Sequence, residues 1–313
     1  MRTAYLLVSH GSSDPRHQAG LSRLAKGMRQ HLNRLLREEY QPARAALSGR
    51  PSINHTFLSS SGVAQGNFFE VQSSSAFPAS PILIPDGIMI GTATLETNDL
   101  SLSEQIEAFA EAALPQGIHQ IVIVPLFLLA GIHVKEDLPQ EIADARAKLP
   151  PRMRLVCTPY LGSQGRFKRY VTQRLANTEA ERCVLLAHGS RRAAGNRTIR
   201  QLGTVLNADV AFWSVSPDLE TQVYDMIQRG YQRIAIAPYF LFPGGITDAI
   251  TRQTEELAER FPKLSLRLLS PVGASADLSA VVAELALSSV PHGLPQSNWS
   301  HSRHPIAENG ITA

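Results

Sequence analysis

The chain repeats itself. Leu6-Leu7-Val8-Ser9-His10-Gly11-Ser12 returns as Val184-Leu185-Leu186-Ala187-His188-Gly189-Ser190. Ile121-Val122-Ile123-Val124-Pro125-Leu126-Phe127-Leu128 returns as Ile234-Ala235-Ile236-Ala237-Pro238-Tyr239-Phe240-Leu241. Leu102-Ser103-Glu104-Gln105-Ile106 is echoed by Leu219-Glu220-Thr221-Gln222-Val223, and Thr158-Pro159-Tyr160-Leu161-Gly162 by Ser270-Pro271-Val272-Gly273. Four matches in one order mark a duplication. Whatever fold the first half takes, the second must also be able to take.

Each copy alternates short apolar runs with amphipathic stretches. Runs such as 121–124 and 234–237 are continuously apolar, which suits parallel strands covered on both faces. Strand–helix alternation predicts an α/β fold: two tandem doubly wound domains whose parallel sheets face a central cleft. The expected division is 1–150 and 151–290, with room for a helix exchanged between the halves near 150–180. The stretch between His10 and Pro125 exceeds its counterpart between His188 and Pro238 by about 65 residues. The excess falls within 38–90, where Ser59-Ser60-Ser61 and Ser73-Ser74-Ser75 read as a serine-rich surface insertion, partly disordered. Residues 291–313 read as a flexible tail, and its His292, His301 and His304 as solvated rather than metal-binding.

Composition narrows the function. Thirty Lys and Arg against 27 Asp and Glu give a net charge of +3, too mild for a general attraction to nucleic acid. Two cysteines, Cys157 and Cys183, exclude a disulfide scaffold and a multi-cysteine zinc site, and fit a reducing, cytoplasmic setting. The longest apolar run, 121–132, is too short to cross a bilayer, and the first strand meets Ser9-His10 too soon to be a signal peptide. No P-loop, Gly-x-Gly-x-x-Gly or Gly-x-Ser-x-Gly motif is present. A histidine phosphatase needs Arg before its His; here the position holds Ser9, and Ala187 in the second copy.

In a parallel α/β sheet, ligands bind beyond the carboxyl ends of the strands. His10 follows the first strand, Glu96 follows 90–95, and His133 follows the strand at 121–124. Two imidazoles and a carboxylate suit a borderline divalent ion and supply groups that handle protons near neutral pH. The repeat serves as an internal control. His10 keeps a partner in His188, while His133 aligns with Ile246 and Glu96 with Trp213. One complete set predicts one active site, in the first half, with the second half as cleft wall.

The residues that carry this set resemble a known family. Leu7-Val8-Ser9-His10-Gly11-Ser12 with Asp14-Pro15-Arg16, Thr94-Leu95-Glu96 followed by 102–106, and Val124-Pro125-Leu126-Phe127-Leu128-Leu129-Ala130-Gly131-Ile132-His133-Val134-Lys135-Glu136-Asp137-Leu138-Pro139 are similar to the CbiX/SirB sirohydrochlorin chelatases in their long, duplicated form. The resemblance covers both halves but neither the insertion nor the tail. It implies a lyase that inserts Co²⁺ or Fe²⁺ into sirohydrochlorin without ATP, in cobalamin or sirohaem biosynthesis. His10, His133 and Glu96 would be the catalytic and metal-contacting residues. The metal is substrate, and no tightly bound cofactor is expected. Many members carry Arg after His-Gly-Ser; here that position is Ser13, and Arg191 in the second copy. Arg16, Lys135, Arg191 and Arg192 are the expected grips for the carboxylates of the substrate. A duplicated chain could form its cleft as a monomer. The competing expectation is a non-catalytic tetrapyrrole- or metal-binding protein with the same cleft.

Overall fold

The computed structural model describes residues 2–47, 88–191 and 193–289. Arg192, the tail and residues 48–87, which are most of the expected insertion, lie outside them. The first half contains β1 (Arg2–Ser9), α1 (Pro15–Leu47), β2 (Met89–Thr94), α2 (Leu102–Ala113), β3 (Ile118–Pro125), α3 (Leu138–Lys148) and β4 (Arg154–Cys157), and so passes the expected division at 150, because β4 pairs with β3 in the first sheet. After α4 (Gly165–Ala176) come β5 (Arg182–Ala187), α5 (Ala193–Leu206), β6 (Asp209–Phe212), α6 (Leu219–Gln228), β7 (Arg233–Pro238), α7 (Gly245–Arg260), β8 (Ser265–Leu268) and α8 (Ala276–Ser288). Two four-stranded sheets result, ordered β2-β1-β3-β4 and β6-β5-β7-β8, with every pairing parallel.

The apolar runs are continuous because both faces of the central strands are covered. Residues 4–9 of β1 are all buried. Tyr5, Leu7, Val122 and Val124 face one core, while Leu6, Val8, Ile121 and Ile123 face the other. Each fully buried aliphatic side chain among them contributes about 1.5–3 kcal/mol. β4 and β8 stand at the sheet edges; they are short and only partly buried, as edge strands commonly are. α1 continues to Leu47, so the segment Ala43-Arg44-Ala45-Ala46-Leu47, rich in strong helix formers, extends a helix where the sequence reading began the insertion at 38.

One of the apolar cores joins the two halves. It joins the α1 and α8 side chains Leu21, Met28, Leu278 and Val282 to Phe167 and Tyr170 of α4, and to Leu185 and Phe212 of the second sheet. The two helices that end the repeats change places. α8 packs on α1 and β3 of the first half, with Gly27 leaving room for Ser279 at the crossing. α4 lies over the second sheet, where Val171 and Leu175 share an apolar core with Leu185 and Ala237. Tyr170 donates its hydroxyl to the Val272 carbonyl at 2.6 Å, and Arg174 donates to the Ser270 carbonyl at 2.8 Å. Arg166 of α4 pairs with Glu284 of α8.

The strand order sets the place for a site. From β1 the chain moves to β2 on one side and then returns to β3 on the other. The crevice beyond the carboxyl ends of β1 and β3 is therefore the topological switch point of the first sheet. The second sheet has the same switch between β5 and β7. No described helix is long and apolar enough to cross a membrane.

Candidate metal centre

His10 is the first residue past β1. The chain must turn tightly there, and Gly11 does so at φ +101°. A Cβ on Gly11 would stand 2.2 Å from the Glu96 carbonyl oxygen, so a side chain at this position would push the two loops apart. Backbone bonds extend the β1–β2 pairing into the site: Leu95 N–H donates to Ser9 O at 2.9 Å, and Glu96 N–H to His10 O at 2.8 Å. Thr97, next in line, sits at φ +61°, an unusual conformation for a β-branched residue.

The loop carrying Glu96 is clamped from below. Gln105 is buried; its amide nitrogen donates to Thr94 O at 2.8 Å and Leu100 O at 3.0 Å, and its oxygen accepts from Thr94 N–H at 3.0 Å. α2 itself starts from a reciprocal cap between Ser101 and Glu104. On the other side of β1, Leu126 N–H donates to Val8 O at 2.7 Å as the chain leaves β3. His133 then opens a π turn, His133–Asp137, that leads into α3.

These supports bring His10, Glu96 and His133 together. One ligand atom from each lies within 4.8 Å of the others. His10 Nε2 and His133 Nε2 are 3.2 Å apart, with the rings edge to face. Two imidazole nitrogens bound to one ion at about 2.0–2.1 Å would lie roughly 2.9 Å apart at a right angle and roughly 3.3 Å at a tetrahedral one. The observed spacing falls between them. Glu96 Oε1 stands 4.0 Å from His133 Nε2, and Glu96 Oε2 3.6 Å from His10 Nδ1. The three side chains are 47%, 51% and 30% exposed for His10, Glu96 and His133. The cluster is thus open to solvent, with coordination positions left for exchange. An apolar groove of about 390 Å³ beside it is lined by Pro125, Val134, Leu138 and Tyr160 among others, and includes none of the three.

Two neighbours went unremarked in the sequence. Asp137 Oδ2 lies 2.7 Å from His133 Nδ1; the four-residue His–Asp spacing was its visible signal. His17, on the first turn of α1, sets its ring edge to face against Phe242 of the second half. Burial, and then the nearby His10, hold the His17 imidazole below its ordinary pKa.

The second half corrects one alignment. Trp213 N–H donates to Ala187 O and Ser214 N–H to His188 O, repeating the bonds of Leu95 and Glu96. The counterpart of Glu96 is therefore Ser214, not Trp213. The sequence alignment was drawn through 102–106 and 219–223, but the loop before α6 is one residue shorter, and the strand register reveals the slip. Ser214 Oγ donates to the His188 carbonyl at 2.8 Å. Among the described residues, the first half holds the only cluster of three potential metal ligands.

The expected carboxylate grips differ from one another. Arg16 is already occupied: it donates to both oxygens of Asp14 and, from Nη1 and Nη2, to both oxygens of Asp248. Lys135 and Arg191 are exposed and form no ion pair among the described residues. Arg192 lies outside the described residues.

The CbiX family model matches residues 88–178 and again 182–288. The first match starts at residue 88, near the end of the expected insertion, and so leaves β1 and His10 outside it. The sirohydrochlorin ferrochelatase of Priestia megaterium is 28% identical over 169 residues, which are 50% of this chain and 63% of that protein, under two thirds of its length. The sirohydrochlorin cobaltochelatase of the same organism is 20% identical over 215 residues, 64% of this chain and 69% of that protein. The structure of SirB from Bacillus subtilis with Fe³⁺ superposes with a TM-score of 0.59 at 21% identity, covering 93% of this chain and 94% of that one; this likeness shows the fold.

Proposed function

The chain belongs to the CbiX family, and from that premise we propose that it inserts a divalent metal ion, Co²⁺ or Fe²⁺, into sirohydrochlorin without ATP. The observation that carries this reading is the 3.2 Å approach of His10 Nε2 and His133 Nε2 beside Glu96, at the switch point of the first sheet. Relatives at 20–28% identity bear the names sirohydrochlorin ferrochelatase and cobaltochelatase.

Insertion requires the ion to shed water and the macrocycle to lose two pyrrole protons. His10 and His133 hold the ion through neutral imidazole nitrogens. A lone pair engaged by the ion cannot also accept a proton, so the two tasks fall on different atoms or different moments. Glu96, half exposed and beside both rings, balances the ion's charge or accepts a proton. As the ring nitrogens take the ion, the imidazoles are released to carry protons to solvent. Few protein ligands and open positions favour departure of the ion over retention. Lys135 and Arg191 pair with the substrate carboxylates, and Arg16 does so only by releasing Asp14 or Asp248. Chelation by the macrocycle supplies the driving force, in keeping with the lack of a P-loop.

The test is anaerobic mixing of sirohydrochlorin with Co²⁺ or Fe²⁺ and substoichiometric protein, followed by absorbance. Turnover beyond one equivalent, faster than the uncatalysed rate, is the expected result. A spectral change that saturates at one equivalent identifies a binding protein instead and overturns the reading.

A further inference from the structure

We propose that Asp137 is the positioning residue of the metal centre, holding the His133 ring by Nδ1 so that Nε2 points to the place shared with His10 and Glu96. The inference rests on the metal-handling role just argued for His133. A carboxylate accepts and does not donate, so the hydrogen on the 2.7 Å Asp137–His133 contact belongs to Nδ1. The lone pair is then on Nε2, the nitrogen that faces His10 at 3.2 Å. A ring free to rotate about its own bonds would present that lone pair to solvent for much of the time.

The local backbone appears only where the imidazole does. His133–Asp137 is a π turn, one residue wider than an α turn, and such turns often mark functional positions. In the second half α7 starts as a regular α-helix. Gly131 corresponds to Gly244, each accepting from the amide four residues on, at Lys135 and Asp248. Farther along, buried Leu138, Ile142 and Ala145 correspond to buried Ile250, Thr254 and Leu257. The first half thus has one residue more between the glycine and the helix. The half that carries Ile246 in place of the His also lacks the wide turn. Both features sit in the half that holds the cluster.

The experiment is an anaerobic titration of the full chain with Co²⁺ alone, read by its ligand-field absorption, for the unaltered protein, Asp137→Ala, Asp137→Asn and His133→Ala, with thermal melting alongside. Losing an outer partner of a ligating His weakens metal affinity by roughly 10–100-fold. Asp137→Ala should fall in that range and show an altered Co²⁺ spectrum, with melting unchanged. Asp137→Asn keeps an oxygen acceptor for Nδ1 and should recover most of the affinity; a structural or purely electrostatic role would not predict that rescue. Unchanged affinity and spectrum in Asp137→Ala overturn the inference, as does equal loss in Ala and Asn. If the unaltered protein binds Co²⁺ through His133 but does not metallate sirohydrochlorin, the chelatase reading fails and this inference stands. No binding of either Co²⁺ or Fe²⁺ by the unaltered protein removes both.

Discussion

Arg16 reaches from the first turn of α1 to Asp248 in α7, with Nη1 at 2.8 Å and Nη2 at 2.7 Å from the two carboxylate oxygens. It ties the half that holds His10, Glu96 and His133 to the second half. Asp14 takes the remaining edge, and hydrogen bonds from Arg16 hold the Asp14 carboxyl at about 2, down from 3.8. Asp248 is also lowered, first by its bond to Arg16. Carboxyls depressed on folding stabilise the fold above their unfolded pKa, and that stabilisation is lost as pH falls through the folded value. The melting difference between the unaltered protein and Arg16→Met should therefore be constant above about pH 5 and vanish between about pH 4 and pH 2. It should also shrink with salt, because these groups are exposed. A difference that persists at the acidic end contradicts the pairing.

The same saturation ranks the proposed substrate grips. To bind a substrate carboxylate, Arg16 must release one of its own, whereas Lys135 and Arg191 form no ion pair among the described residues. Lys135→Ala and Arg191→Ala should each raise the sirohydrochlorin KM several-fold, by about the 1 kcal/mol or less of one exposed ionic contact. Arg16→Ala should raise it less. Steady-state kinetics at fixed metal checks the order.

His10→Ala and His133→Ala should each lower kcat/KM by about two orders of magnitude or more, the scale of losing a positioned proton-handling group. Both side chains are partly exposed, so melting should barely move. His188→Ala should retain most activity, since neither Ser214 nor Ile246 completes a set around it. Equal losses at His188 and His133, with the fold preserved, contradict a single site.

Gly11→Ala should damage the centre without touching a ligand. It places a Cβ against the Glu96 carbonyl and forces φ +101° on an alanine. The strain is about 1–3 kcal/mol. Denaturant unfolding should show that loss, and the variant should bind Co²⁺ more weakly because the Glu96 loop is displaced.

Tyr170→Phe tests the exchanged helix. The hydroxyl donates to the Val272 carbonyl in a buried setting and meets Ser275 Oγ at 2.6 Å. Removing it leaves these groups without that partner, costing about 1–3 kcal/mol in denaturant unfolding. A change within error would mean that α4 is held over the second sheet by its apolar face alone.

The duplication, the doubly wound parallel architecture and the placing of His10, Glu96 and His133 at neighbouring strand ends can be read from the residues in order. All three follow from order along the chain. Continuous apolar runs encode strands buried on both faces, and ligands fall where those strands end. The remaining features depend on how the two halves pack. The exchange of α4 and α8 is not written in either helix, because an apolar stripe fits either of two similar sheets and packing selects one. The match of Glu96 with Ser214 emerged from the hydrogen-bond register, since one missing loop residue shifts every sequence alignment drawn across it. Arg16 is expected as a substrate grip, not as a partner of Asp248, because Asp248 lies more than two hundred residues away along the chain, and only the packing of the two halves brings that carboxylate to it. Asp137 stood in plain view in the sequence, but its contact depends on a turn one residue wider than an α turn, a conformation that periodicity does not reveal.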